Sequence, residues 1–158
     1  MTTPRRPKWY FYVSALSLYV ADQVTKQWIV RDFWPGRSVE VIPDFLYWTY
    51  VRNDGIAFGL MQGNNTLMLI LVTLLVVGGA FWARQLNWDS PHLNGIASLI
   101  TAGALGNITD RVRHGFVIDF VDADLGFMRW PAFNVADSAI CIAMAWMLFC
   151  VFTKKPLD

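Results

Sequence analysis

The sequence predicts an all-α membrane protein with four transmembrane helices and a small β-sheet at the membrane surface. Three observations predict this class. Charged residues make up 16% of the 158 residues and hydrophobic residues 55%, whereas a soluble domain has about 25% charged residues. Four apolar segments approach the ~20 residues needed to cross a bilayer. One long segment between them is rich in β-branched and aromatic residues instead.

The first two spans differ in how uniformly apolar they are. Residues 9–30 are apolar as far as Ala21 and then carry polar and charged side chains. A cleaved signal peptide is the alternative for this segment, but no small-residue cleavage site follows the apolar run, so we expect a retained span. Residues 66–83 contain no charged residue and form the clearest span.

The last two spans are residues 93–110, rich in Gly and Ala, and residues 132–152, in which Asp137 is the only charged residue. Small residues allow membrane helices to pack closely. A second polar stretch, residues 111–131, separates these spans. We expect residues 1–158 to form one membrane-embedded domain, because this length leaves no room for a second.

Residues 31–65, between the first two spans, predict the sheet. Residues 38–42 and 45–51 are rich in β-branched and aromatic side chains, and Pro43-Asp44 separates them. Asn53-Asp54-Gly55 is a further turn signal. We therefore expect a small sheet at the membrane surface in this segment.

The orientation is predicted from the charges that flank the spans. Lys and Arg divide six against six between the two sides, so their number does not decide the orientation. Arg5-Arg6-Pro7-Lys8 directly precedes the first span, and Lys154-Lys155 directly follows the last. Because positive charge beside the first span usually dominates, we expect both termini in the cytoplasm.

Ionisable side chains at membrane depth are costly and are therefore functional candidates. Asp22 and Lys26 are four residues apart and share one face of the first span, either as an internal ion pair or as part of a polar site. Asn107, Asp110 and Arg111 form a polar stripe at the end of the third span. The alternative is that this stripe only anchors the helix end at the interface.

Asp119 and Asp137 are the strongest pair of acids. Asp119 lies eight residues beyond Arg111, and Asp137 lies near the start of the fourth span, three residues after Asn134. If the third span leaves the membrane on the side where the fourth span enters it, both carboxylates can meet at that surface. Two facing carboxylates share one proton, so one can act as a base on water while the other acts as an acid. This is aspartic-protease chemistry, which needs no metal or other cofactor.

Two other functions remain open on the residues alone. Asp122 and Asp124 follow Asp119 in a D-x-x-D-x-D spacing that suits Mg²⁺, as in a metal-dependent lipid enzyme. Four spans without an inverted repeat argue against a proton-coupled transporter. Such a transporter would use the acids of the spans: Asp22, Asp110 and Asp137. A formal charge of +1 gives no basis for a nucleic-acid partner.

Five sequence blocks carry a family resemblance. They are A-D-Q-V-T-K at 21–26, R-N-D-G-I-A-F at 52–58, G-A-L-G-N-I-T-D-R at 103–111, V-I-D-F at 117–120 and P-A-F-N-V-A-D-S-A at 131–139. In these blocks, their order and their spacing, the chain resembles the lipoprotein signal peptidases (signal peptidase II), the bacterial membrane aspartyl proteases. The resemblance spans nearly the whole chain.

The resemblance implies four transmembrane helices, cytoplasmic termini, a small extracytoplasmic β-cradle and an active site near the outer face of the cytoplasmic (inner) membrane. It implies that Asp119 and Asp137 are the catalytic pair. The residues that it implies bind substrate or support the site are Asp22, Lys26, Asn53, Gly103, Gly106, Asn107, Asp110, Arg111 and Asn134.

The implied substrate is a prolipoprotein, cleaved just before its diacylglyceryl-modified Cys. The implied partners are this substrate and membrane phospholipid, and we expect a monomer. We also expect the aromatic-rich residues 45–58 to lie over the site as a clamp, Asn53 and Arg111 to orient substrate or lipid oxygens, and Asn134 to hold Asp137. The sequence departs from the family pattern at Ala102, where a Gly is frequent, and at Asp54, which adds a negative charge.

Overall fold

The computed structural model describes residues 6–55 and 63–154, which contain four long helices and one four-stranded antiparallel sheet. The helices are α1 (Trp9–Asp32), α2 (Asn65–Trp82), α3 (Pro91–His114) and α4 (Val135–Phe152). The strands are β1 (Ser38–Ile42), β2 (Leu46–Asn53), β3 (Val117–Asp124) and β4 (Arg129–Phe133). Helices therefore occur at all four segments that the hydropathy pattern predicts.

The fourth helix begins later than predicted. Ala132 and Phe133 belong to β4, and α4 begins at Val135. Asn134 caps this helix: its Oδ1 accepts a hydrogen bond from the Asp137 backbone N–H at 2.9 Å, and its own backbone N–H donates to Asp137 Oδ2 at 3.3 Å. This reciprocal capping box fixes where the helix starts.

The sheet joins the two polar segments of the chain. β1 and β2 confirm the strands predicted within residues 31–65, whereas β3 and β4 come from residues 111–133, for which no strand was predicted. The strand order is β1-β2-β3-β4. α3 ends at Gly115, whose φ of +81° suits glycine and whose N–H donates to the Arg111 carbonyl at 3.1 Å. This cap turns the chain directly from α3 into β3.

The sheet packs against one end of the helices. Its core contains residues of α1 and of the two central strands: Ile29, Phe33, Tyr50, Ile118 and Phe120. At the opposite end, the Lys8 backbone N–H donates to Asn94 Oδ1 at 2.9 Å, and Trp146 Nε1 donates to His92 Nδ1 at 3.2 Å. The helices therefore alternate in direction, so that α1 and α3 end, and α2 and α4 begin, on the side of the sheet.

Two stretches among the described residues are long and apolar enough to cross a membrane, Asn65–Gln85 and Val135–Phe152. The first contains α2 and the single 3₁₀ turn that follows it, and the second is α4. α1 and α3 carry most of the buried polar side chains described below. α1 and α3 are therefore more polar in composition than α2 and α4.

Candidate active site

Asp119, on β3, is held by two amide groups. Asn53 Nδ2 donates to its Oδ2 at 2.9 Å, and Asn134 Nδ2 donates to its Oδ1 at 2.7 Å. Only 1% of Asp119 is exposed. Burial, followed by the charge of Asp137, raises the pKa of Asp119 from 3.8 to about 7, against the opposing effect of the two amides. Asp119 therefore holds a proton far more readily than an ordinary aspartate.

Asp137, in the first turn of α4, meets the same amide network. Asn107 Nδ2 donates to Asp137 Oδ1 at 2.8 Å, and the Asn134 backbone N–H donates to Oδ2. Asn134 thus bonds both acids, Asp119 through its side chain and Asp137 through its backbone. Asn134 was expected to hold Asp137, and its backbone N–H does bond that carboxylate, while its side-chain amide also bonds Asp119.

A second group of acids surrounds a buried lysine. Lys26 Nζ lies 2.9 Å from Asp22 Oδ2 and 2.9 Å from Asp110 Oδ2, and it donates to Asn107 Oδ1 at 3.1 Å. The three charged residues are at most 2% exposed. The predicted ion pair of Asp22 and Lys26 is confirmed, and Asp110 completes it as a triad that contacts the aspartate pair through Asn107.

The triad also connects four elements of the fold. Asp22 Oδ1, on α1, accepts from the Ala136 backbone N–H of α4 at 2.9 Å, and Asp110 Oδ2, on α3, accepts from the Ile118 N–H of β3 at 3.1 Å. Gln23 Nε2 donates to both acids, at 3.2 Å in each case. Sequence reasoning missed Gln23, although it stands beside Asp22 in the first family block.

Two glycines of α3 allow the helices to approach this closely. A Cβ atom on Gly106 would lie 2.5 Å from Asp22 Oδ2, and one on Gly103 would lie 2.5 Å from the Ala136 carbonyl oxygen. Both glycines are therefore required by packing against α1 and α4. Ala102 is 2% exposed, so its methyl group lies inside the protein.

Arg111 and Asn53 both bond to the protein itself. Arg111 donates to the Gly55 carbonyl at 2.6 Å and to Asn65 Oδ1 at 3.1 Å, which joins α3 to the turn after β2 and to the start of α2. Asn53 bonds Asp119 and also accepts from the Gly55 N–H at 3.1 Å. Both side chains thus help to position the site, and their predicted role in orienting substrate oxygens stays a prediction. Asn65 was also missed by sequence reasoning.

Parts of several predictions lie outside the described residues. Residues 56–58, which belong to the predicted clamp and to the second family block, are not described. Arg5 and Lys155, which belong to the predicted basic clusters beside the first and last spans, are not described either. At the edge of this gap, Asp54 Oδ2 accepts a hydrogen bond from the Gly63 N–H at 3.1 Å. The additional acid at position 54 thus bonds the first residue that the structure describes after position 62.

The three acids of the D-x-x-D-x-D spacing point in different directions. Residues 119 and 122 differ by an odd number of positions along β3, so their side chains lie on opposite faces of the strand. Asp122 and Asp124 instead approach Arg129, at 3.4 Å and 3.7 Å. No three His, Cys, Asp or Glu side chains within residues 6–55 and 63–154 are grouped to hold a metal ion. The geometry gives the Mg²⁺ alternative no support.

The chain is similar to known proteins along most of its length. The sequence profile described as signal peptidase (SPase) II matches residues 14–153. The lipoprotein signal peptidase of Shewanella halifaxensis is 39% identical over 155 residues, covering 96% of this chain and 89% of that protein. The lipoprotein signal peptidase of Listeria welshimeri is 38% identical over 144 residues, covering 90% of this chain and 93% of that protein.

Two solved structures of bacterial membrane enzymes share the fold. One has a TM-score of 0.87 at 30% identity and covers 99% of this chain and 98% of its own. The other has a TM-score of 0.83 at 31% identity and covers 95% of this chain and 97% of its own. The likeness extends over the helices and the sheet together.

Proposed function

Since the chain belongs to the signal peptidase II family, the proteases that remove signal peptides from lipoproteins, we propose that Asp119 and Asp137 are its catalytic pair. One observation carries this assignment. Asp119 is buried and Asp137 is partly buried. Both carboxylates are bonded by amides, and neither forms an ion pair with a Lys or Arg among the described residues. Two such carboxylates lower their repulsion by sharing a proton.

The shared proton gives each acid a role in hydrolysis. The ionised carboxylate takes a proton from a water molecule, whose oxygen attacks the carbonyl carbon of the scissile peptide bond. The protonated carboxyl donates its proton to the carbonyl oxygen. When the tetrahedral intermediate collapses, the C–N bond breaks and a proton passes to the nitrogen of the modified Cys. No metal or cofactor takes part in this scheme.

The triad serves this chemistry by fixing the orientation of Asn107. Asn107 Oδ1 accepts from Lys26 Nζ and, at 3.3 Å, from Asn134 Nδ2. Its Nδ2 is therefore the end that faces Asp137. Asp22, Asn53, Asp110 and Arg111 support the site through hydrogen bonds and ion pairs, whereas Gly103 and Gly106 allow the helices to pack closely.

We further propose that all four helices span the cytoplasmic (inner) membrane of a bacterium, with both termini in the cytoplasm and the sheet as an extracytoplasmic cradle. α1 supports this arrangement despite its polar face, because its opposite face exposes apolar side chains along the helix: Tyr12, Leu16, Val20 and Val24. The aspartate pair then lies near the outer surface. There, the diacylglyceryl chains of a prolipoprotein can stay in the bilayer while the peptide bond before the modified Cys reaches the acids.

One copy of residues 1–158 suffices for this site, since the pair and the side chains that bond it all belong to one chain. We therefore propose a monomer of one membrane-embedded domain. Its partners are the lipid-modified substrate and the surrounding phospholipid.

Separate Asp119→Asn and Asp137→Asn variants test the catalytic assignment. Purified protein is mixed with a diacylglyceryl-modified precursor, and cleavage is followed by the shift of the product on a gel. Each substitution removes an acid–base group, so the rate should fall at least about 100-fold. Asp122→Asn is the matched control, because it removes a β3 acid that pairs with Arg129, and it should cleave normally. Cleavage at the wild-type rate by either folded dyad variant would disprove the assignment, and inhibition by a chelator would favour the Mg²⁺ alternative.

A further inference from the structure

A cleft lies between the C-terminal parts of α1 and α3, and neither Asp119 nor Asp137 lines it. Its volume is about 170 Å³, several times the ~30 Å³ that one water molecule occupies in the liquid. The inner wall consists of buried side chains, among them Gln23, Lys26 and Asp110. The rim consists of exposed side chains that are mainly polar or basic: Gln27, Arg31, Arg113 and His114.

The charged groups of the inner wall are already satisfied. Lys26 bonds Asp22, Asp110 and Asn107, which uses its three N–H donors. Asp110 bonds Lys26, Gln23 and the Ile118 N–H. Because two carboxylates share one ammonium, the triad at the inner wall carries a net negative charge. Any attraction for an anion must therefore come from the rim.

The rim, in contrast, is positive. Arg113 has no hydrogen bond or ion pair with the described residues. His114 follows Arg113 in the chain, and the stacking of its ring on Phe116, with the ring centroids 5.9 Å apart, fixes the position of the imidazole. Arg31 bonds Asp32 at 2.7 Å and 3.1 Å, and Asp32 is not part of the cleft lining. Arg113, which has no carboxylate partner among the described residues, stands at the mouth of a cleft whose surface is mainly apolar. Such a site favours a ligand that joins an anionic group to apolar chains.

The level of the cleft identifies the source of that anion. In the proposed membrane arrangement, on which this inference rests, α1 and α3 end at the outer surface of the bilayer. Two exposed tryptophans near this end of α1, Trp28 and Trp34, fit the aromatic belt found at the headgroup level. The anions concentrated at this level are lipid phosphates.

We propose that this cleft binds the phosphate of an anionic phospholipid of the outer leaflet, with Arg113 as the main ligand and His114 and Arg31 beside it. A zwitterionic headgroup would bring its ammonium toward the same two guanidinium groups and bind less well. The amide of Gln27 can bond a hydroxyl on the headgroup. The cleft is distinct from the aspartate pair, since neither Asp119 nor Asp137 lines it.

Native mass spectrometry of the purified full chain tests this inference, with phosphatidylglycerol and phosphatidylcholine offered in equal amounts. We expect the protein to retain phosphatidylglycerol in preference. Arg113→Gln should lower this retention about fivefold, the effect of one cation at a membrane surface, and Arg113→Lys should restore part of it. The matched control is Arg84→Gln, an arginine at the opposite end of the helices that stacks on Phe81, and it should bind like the wild type.

Three outcomes would overturn the inference: equal retention of the two lipids, unchanged binding by Arg113→Gln, or an equal loss in Arg84→Gln. Displacement by an equal concentration of inorganic phosphate would show a site for free phosphate and would overturn its assignment to a lipid. Asp119→Asn should bind phosphatidylglycerol normally. Binding is measured without cleavage, so failure of the catalytic assignment and failure of the lipid site give different results.

Discussion

The sheet end of this molecule contains two groups of aspartates, buried or partly buried, that differ in what compensates their charge. In the triad, two aspartates share a lysine at 2.9 Å from each. In the pair, two aspartates are bonded by amide groups and by no described Lys or Arg. A lysine balances the charge of the carboxylates beside it and fixes their positions, whereas neutral amides orient carboxylates and leave their repulsion to be relieved by a proton. The counter-group, and not the residue type, separates the acids of the triad from the proposed catalytic pair.

The largest effect on stability should come from removing the charge at the centre of the triad. Lys26→Met leaves Asp22 and Asp110 buried without their cation, so we expect a loss of about 3–5 kcal/mol in the free energy of unfolding. Thermal or denaturant unfolding of the purified protein in detergent measures it. Adding Asp22→Asn and Asp110→Asn to this variant should recover part of the loss, because no uncompensated charge then remains.

The matched control for the triad is Arg31→Gln, which breaks an exposed ion pair with Asp32. Water screens exposed pairs, so this variant should unfold almost like the wild type. If Lys26→Met lost as little unfolding free energy as Arg31→Gln, the triad would not stabilise the fold. The proposed difference between the triad and the aspartate pair would then be wrong.

A smaller effect, on rate more than on stability, should come from the amide that joins the two groups. Asn107→Leu removes the donor to Asp137, and a hydrogen bond to a charged group contributes about 1.5–3 kcal/mol. The rate should therefore fall about 10- to 100-fold. Because Asn107 acts through Asp137, kcat should fall while KM changes little.

Thr109→Val, on the same helix, is the control for Asn107, since Thr109 Oγ1 bonds Tyr19 and not the acids. It should leave kcat unchanged. A rise in KM with a normal kcat in Asn107→Leu would instead indicate that Asn107 contacts the substrate.

The mildest test uses pH without any substitution. The pKa of Asp119 is raised to about 7, above its value in the unfolded chain, ~3.9. This carboxyl therefore contributes stability that is fully present below about pH 4 and is lost as the pH rises through about 7. The pair also loses its shared proton above this range, so kcat/KM should decline there. Asp122→Asn should keep the same profile, and a profile flat to pH 9 would argue against a shared proton.

The sequence alone predicts the helical segments, the first hairpin and both groups of acids, because these depend on local pattern. Hydropathy locates α2, and the i, i+4 spacing of Asp22 and Lys26 predicts their ion pair. β3 was not predicted as a strand, since its acids interrupt the alternation of apolar residues, and its partner β2 lies more than sixty residues earlier in the chain.

Contacts between distant segments set the rest of the site. Nothing local to Asp110 indicates that it shares Lys26 with Asp22. Likewise, Arg111 was expected near substrate because a cation at a polar helix end suits that role. It is bonded to Gly55, fifty-six residues earlier, which no spacing within α3 could reveal. The capping box of Asn134 and Asp137 is local, but the start of the fourth helix was predicted from hydropathy at residue 132, three residues before α4 begins.

Infrared difference spectroscopy of the carboxyl groups, recorded while the pH is raised through 7, tests the contrast between the two groups of acids most directly. One protonated carboxyl should be present in the wild-type protein below about pH 7 and should lose its proton near that pH. Its signal should disappear or shift in Asp119→Asn and stay unchanged in Asp122→Asn. A signal that persists unchanged in both Asp119→Asn and Asp137→Asn, or that changes only in Asp110→Asn, would place the proton in the lysine triad and contradict the assignment of the catalytic pair.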